Sequence, residues 1–160
     1  MLILDKEQTN TMKTMGTKAF GTIEIDTDTI YSFRDGLYGF VDETEFALIE
    51  GKNDSPFIWL QSTTNEHLAF ILIDPLMLMN EYRPLVIRSD IDALQVSEIT
   101  DCRIFVIVTI PQNAPEEMTV NLQGPILLNQ KLKIGRQVIS DDDKHGVRIS
   151  ALKLIETEGK

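Results

Sequence analysis

Apolar and polar side chains alternate along this chain in short runs rather than in helical stripes. Phe20-Gly-Thr-Ile-Glu-Ile25 sets Ile23 and Ile25 between Thr22, Glu24 and Asp26, the period of two that buries one face of a strand. Residues 30–33 repeat the pattern, and apolar runs at 46–49, 57–60 and 68–73 follow. Their separators, residues 51–56 and 63–66, hold Gly, Asn, Asp, Ser and Pro, which turn the chain by positive φ, fixed φ or side-chain bonds back to the backbone. In the second half, residues 84–88 lead into a short helix expected over 91–94, capped by Ser89 or Asp90, with Glu98 opening a further turn. Residues 104–110 have too many consecutive β-branched side chains for a stable isolated helix and read as a central strand. A single turn is expected at 115–118, proline leading and acids at its start. Strands resume at 119–122, 126–128, 138–139 and 147–152.

Roughly ten short strands with frequent turn signals predict an all-β fold. The expectation is a single antiparallel domain, barrel-like or a sandwich, with one or two short helices. Its bounds are set at 15–155. Residues 1–14, polar and aperiodic, are expected to be a disordered arm or an upstream start, since Met12 and Met15 are alternative first residues. Residues 156–160 are expected to fray. No internal repeat is visible.

Composition narrows the class. A 160-residue chain fits one domain that buries roughly two-thirds of its unfolded surface without a metal or disulfide staple. Cys102 is the only cysteine, which fits a reducing compartment, and it reads as a small half-buried residue at a strand start. No secretory leader or membrane-spanning run is evident, so the chain is expected to be cytoplasmic and away from membranes; it is taken as a monomer, a state the sequence itself does not encode. Net charge is −10, with 13 acids against 5 bases in residues 1–80. Such a field repels phosphate backbones and favours basic protein partners; simple solubility is the bland alternative.

Candidate chemistry is sparse. His67 and His145 have no second histidine or cysteine at metal-ligand spacing, and Asp141-Asp-Asp143 reads as a solvated loop. Nucleophile-elbow, phosphate-loop and dinucleotide motifs are absent. No catalytic residue, metal or cofactor is therefore expected, and direct nucleic-acid binding is disfavoured by charge. A small β-barrel enzyme or ligand carrier of unknown substrate is kept as the alternative, though no motif points to it.

One motif stands apart. In Gly36-Leu-Tyr-Gly-Phe40 two glycines allow backbone turns with φ > 0 while large apolar side chains sit between them. Two readings apply: Leu37 and Phe40 plug the end of a barrel, or Leu37, Tyr38 and Phe40 form an apolar anchor edged by Asp35, Asp42, Glu43 and Glu45.

Taken in order, this motif and several others resemble the flagellar assembly factor FliW family. The others are Phe20-Gly-Thr-Ile-Glu-Ile25, Phe70-Ile-Leu-Ile-Asp-Pro75, Tyr82, Val108-Thr-Ile-Pro111, Met118-Thr-Val-Asn-Leu122, Gly124-Pro-Ile126, Asn129 and Gly135-Arg-Gln-Val-Ile139. The resemblance covers residues 18–152. Tyr38 departs from it, because the family turn usually reads Gly-Leu-Pro-Gly-Phe. The resemblance implies a compact, barrel-like protein that is not an enzyme. It implies binding to flagellin, in chaperone fashion, and to the translational regulator CsrA, a small basic RNA-binding dimer. Free factor would sequester CsrA and relieve repression of flagellin translation; accumulating flagellin would displace it, a partner switch serving flagellum biogenesis. Gly36, Gly39, Asn121, Pro125, Asn129 and Gln137 also match the family pattern. They are assigned mainly to structure, with side-chain amides closing turns and Gly124-Pro125 fixing a bend.

Overall fold

In the computed structural model, which describes residues 11–158, seven strands close on themselves. They are β3 (Ile30–Ser32), β4 (Glu45–Glu50), β5 (Ile58–Ser62), β6 (Ala69–Ile73), β7 (Arg103–Thr109), β8 (Thr119–Asn129) and β9 (Ile134–Gln137). Neighbours run antiparallel from β3 through β9 by way of β4 to β8. The parallel β3–β9 pair, Ser32 opposite Ile134, shuts the barrel. A short β10 (Ile149–Ser150) pairs antiparallel with the start of β8, and a hairpin of β1 (Met12–Thr17) and β2 (Gly21–Asp26) forms a separate two-stranded sheet. Two short helices, α1 (Arg88–Ala93) and α2 (Ala151–Thr157), cover the flanks. The expected all-β barrel with short helices is the fold observed.

Alternation explains where the strands bury their side chains. Phe46 and Leu48 point inward with Phe33, Leu60, Leu72, Phe105, Ile126 and Leu128 to fill the barrel, while Ala47 between them faces the β1–β2 hairpin and meets Met15 and Ile25. On β6 and β7, Ile73, Val106 and Val108 face outward against Val120, Leu122, Tyr82 and Ala151, a second apolar layer under α2. Phe33 is fully buried, edge-on to Phe46 at 5.4 Å between ring centres. Burying such a ring contributes about 2–3 kcal/mol. Gly135 opposite it must be glycine for space: a Cβ there would run into the Phe33 ring and Leu128.

Four expectations are corrected. Residues 12–14 are not part of an arm but half of β1, because their backbone pairs with β2 from Met12 opposite Asp26 to Thr17 opposite Gly21. The threonines that look like linker residues are also good strand formers. Residues 1–10 of the expected arm lie outside the described residues. The tail is helical through Thr157, and the Glu158 carboxylate accepts a hydrogen bond from Asn80 N–H at 2.9 Å; residues 159–160 lie outside the described residues. The run at 147–152 is not one strand: Ser150 accepts from the N–H of Lys153 and starts α2 after two strand residues. Finally, α1 begins at Arg88, and neither Ser89 nor Asp90 caps it.

Candidate functional site

After β3, Phe33 N–H bonds to Thr44 carbonyl and Gly36 N–H to Phe33 carbonyl, both at 2.8 Å, and the chain reverses tightly. Phe40 N–H donates to Leu37 carbonyl at 2.8 Å, so Tyr38 and Gly39 form a two-residue loop. Gly36 (φ 66°) and Gly39 (φ 88°) occupy the positive-φ region that glycine enters without steric cost. At Gly36 there is a second constraint, since a Cβ would stand 2.5 Å from the Phe40 carbonyl oxygen.

The loop divides its apolar residues between two tasks. Leu37 is 2% exposed and belongs to the barrel core, which corrects its placement on a contact surface. Tyr38 (60% exposed), Phe40 (40%) and Val41 (64%) stand outward, and the Phe40 ring rests edge-on against Phe70 at 5.2 Å. Leu37 thus takes the core position of the plug reading, while Tyr38 and Phe40 stand at the surface.

Side chains distant in sequence hold this loop. Gln137 Oε1 accepts from Tyr38 N–H at 2.9 Å, while its Nε2 donates to Gly124 carbonyl at 3.0 Å. Arg136 donates through Nη1 to Asp35 at 2.6 Å and through Nε to Asp90 at 2.8 Å, tying the loop to α1. Burial on its own would lower the Arg136 pKa; the hydrogen bonds to Asp35 and Asp90 outweigh it and hold it above the ordinary value. Asp35, Gly36, Leu37, Val41, Arg136 and Gln137 line a cleft of about 280 Å³ beside Tyr38.

The acidic edge is likewise built. Glu43 Oε1 accepts from Ser62 Oγ at 2.6 Å and Thr64 Oγ1 at 3.0 Å, and Glu45 Oε1 from Thr63 Oγ1 at 2.7 Å. Two of the three carboxylates are therefore aimed by hydroxyls of the β5–β6 turn, and Asp42 stands exposed beside them. The Arg136 clasp and the Ser62-Thr63-Thr64 support were missed by sequence reasoning. The one available signal was a run of hydroxyl residues opposite a run of acids.

The remaining amides shape β8 and its turn. Asn121 Oδ1 accepts from Gln123 N–H at 3.0 Å and Gly124 N–H at 2.9 Å, folding the residues that bulge out of the β7–β8 ladder next to Pro125. Asn129, 5% exposed, accepts from Lys131 and Leu132 N–H, both at 3.1 Å, and donates to Leu94 carbonyl at 2.8 Å.

A serine, a histidine and an aspartate do meet elsewhere. Ser140 Oγ lies 2.7 Å from His145 Nδ1, and His145 Nε2 is 3.9 Å from Asp142. Ser140 is 2% exposed and its oxygen already accepts from Leu85 N–H at 3.0 Å, so it clamps two loops and offers no accessible hydroxyl. Tyr82 packs on His145 at 4.8 Å and donates to Leu122 carbonyl at 2.5 Å; burial raises its pKa well above the phenol range. No group of three or more His, Cys, Asp or Glu arranged to hold a metal occurs among the described residues. Cys102 is half-buried, and burial first, then the charge of Asp101, pushes its thiol up. Iodoacetamide at neutral pH is accordingly expected to label Cys102 more slowly in the folded chain than in urea, measured by mass spectrometry over time.

The fold and this surface define a class: a small closed β-barrel whose most elaborated feature is a braced, outward-facing turn rather than a pocket lined with reacting groups. Comparison with known proteins makes that class specific. A family model described as FliW protein matches residues 14–151. The flagellar assembly factor FliW of Leptospira biflexa is 46% identical over 143 residues, 89% of this chain and 94% of that protein. Its counterpart in Thermoanaerobacter pseudethanolicus is 38% identical over 135 residues, 84% and 89% of the two chains. A crystal structure of the flagellar assembly factor FliW superposes with a TM-score of 0.79 at 31% identity, covering 87% of this chain and 96% of that one. The chain belongs to the FliW family of flagellar assembly factors. No helix among the described residues is long and apolar enough to cross a membrane.

Proposed function

We propose that this chain acts by occupying other proteins: it binds flagellin as a chaperone does and sequesters CsrA, and the two partners exchange on it. It works as a cytoplasmic monomer, and no bond is made or broken. Free factor holds CsrA and flagellin translation proceeds. When flagellin accumulates it takes the factor, and released CsrA represses.

The observation that carries this reading is the braced turn, with Tyr38, Phe40 and Val41 exposed on a rigid backbone and Asp42, Glu43 and Glu45 along its edge. An apolar centre with a charged rim is the anatomy of a protein interface. A net charge of −10 favours a basic RNA-binding partner and hinders RNA from following it.

Calorimetric titration with purified flagellin and CsrA tests the proposal. Tyr38→Ala with Val41→Asp is expected to weaken flagellin binding by about tenfold to a hundredfold, the scale of a lost interface anchor. Asp42→Lys is expected to weaken the CsrA complex, most at low salt. Asp42 is the clean position, because reversing Glu43 or Glu45 would also break their bonds to the β5–β6 turn. Absence of both complexes with the unaltered chain would overturn the reading.

A further inference from the structure

A second surface lies at the other end of the β3–β9 pair, where the β1–β2 hairpin arches over the barrel and leaves a cleft of about 420 Å³. Ile23, Tyr31, Leu48 and Ile49 give it an apolar lining. Arg103 and Lys133 enter from the far side, brought together because β7 begins beside the β8–β9 turn.

These two cations are unusual in this molecule. Arg103, Lys133 and Arg136 are the half-buried cations among the described residues; the other lysines and arginines are exposed. Arg136 ion-pairs with Asp35 and Asp90, whereas Arg103 and Lys133 pair with no carboxylate among the described residues. Each instead faces an aromatic ring, Arg103 at 4.5 Å from the Phe105 centre and Lys133 at 5.2 Å from that of Tyr31. A ring face compensates only part of a cation's lost hydration. Lys133 is also fixed in place: it has φ 57° and its carbonyl accepts from Ser32 N–H at 2.9 Å. The lining also carries Glu24, Asp26, Asp28 and Glu50, none of them within ion-pair distance of either cation, so Arg103 and Lys133 form the positive end of an otherwise acidic cleft and are a local match for a carboxylate.

The hairpin decides what carries that carboxylate. Among the described residues strand β2 pairs with β1 alone, so its other edge has no strand partner there, and residues 23–26 of β2 line the cleft. An extended segment can add to such an edge while its alternate side chains reach the lining. We infer that this cleft binds an extended peptide segment of a partner protein, with an apolar side chain on the lining and an adjacent acidic side chain on Arg103 and Lys133. The acids Glu24, Asp26 and Asp28 on the hairpin side and Glu50 at the end of β4 orient the segment by repelling its acidic end toward the cations. This binding is independent of the Tyr38 surface and goes beyond the function proposed above.

The test is a nitrogen-15 amide titration of the full chain with an acetylated, amidated peptide of three leucines followed by two aspartates, and with its counterpart ending in lysines. The acidic peptide is expected to give saturable shifts at Ile23, Ile25, Tyr31 and Lys133. Arg103→Gln and Lys133→Gln are each expected to weaken it by about tenfold, the scale of one charge-assisted hydrogen bond, and Arg103→Lys to recover part of the loss. Unchanged spectra away from the cleft show that the variants fold. Tyr38→Ala should leave the titration intact, which separates failure here from failure of the flagellin and CsrA reading. Equal binding of the lysine peptide, shifts produced by inorganic phosphate alone, no saturable shift, or full binding by both glutamine variants would each overturn the inference.

Discussion

Gly36→Ala is expected to destabilise the fold by about 2–4 kcal/mol, while Gly39→Ala three residues later costs about 1–2 kcal/mol. Both glycines have positive φ, so both substitutions force an L side chain into a disfavoured region. They differ in space. A Cβ at Gly36 would approach the Phe40 carbonyl oxygen at 2.5 Å and Val41 Cα at 2.7 Å, whereas one at Gly39 meets nothing within 4 Å. The obstruction at Gly36 is backbone, which cannot swing aside as a side chain does, so the loop itself must shift. Urea unfolding followed at Trp59 measures both, with the slope m unchanged if only the native state is affected. A shifted loop also moves Tyr38, Phe40 and Val41, so Gly36→Ala should lose the partner binding proposed for this loop in conditions where it remains folded. Gly39→Ala should keep most of it. Equal losses for the two would mean that strain alone, and not the crowding beneath Gly36, sets the loop.

How far the sequence discloses this arrangement depends on the range of the interactions. The period of two over residues 23–25 and the apolar run at 46–49 report local burial, and β2 and β4 stand there. The 36–40 turn was legible because glycine pairs have a local backbone meaning. What was not legible is which side chains brace it, since Gln137 lies 99 residues from Tyr38 and Arg136 lies 101 from Asp35. Those pairings exist only because β9 closes the barrel against β3, a consequence of topology that no local pattern encodes. The β1 strand was hidden for a different reason. Its first three residues, Met12, Lys13 and Thr14, are exposed on both faces, so the alternation that marks a half-buried strand begins only at Met15. Leu37 and Phe40 illustrate the same limit at one site: both are apolar and both flank the loop, but the chain's path sends Leu37 into the core and leaves Phe40 at its rim.

Asn129 is where the turn after β8, helix α1 and the cleft cations converge, and Asn129→Ala is expected to cost about 2–4 kcal/mol. Its side chain satisfies three backbone groups: it accepts from Lys131 and Leu132 and donates to Leu94, with the residue itself 5% exposed. Alanine takes that donor from the Leu94 carbonyl, on a residue 1% exposed and packed with Leu127 and Val138. Asn129→Asp separates the two halves of the role. The carboxylate still accepts from Lys131 and Leu132, so the turn that presents Lys133 should persist. The amide donor is gone, and a negative charge then faces the Leu94 carbonyl, so the end of α1 should loosen. Hydrogen exchange reads the difference: Asn129→Asp is expected to speed exchange at Leu94 and Gln95 while Lys131 and Leu132 stay protected, whereas Asn129→Ala exposes all four. Because Asp90 on α1 holds Arg136, a loosened helix should also release Asp35 and, through it, the Tyr38 loop. Unaltered loop protection in Asn129→Asp would show instead that Gln137 alone suffices to hold the loop.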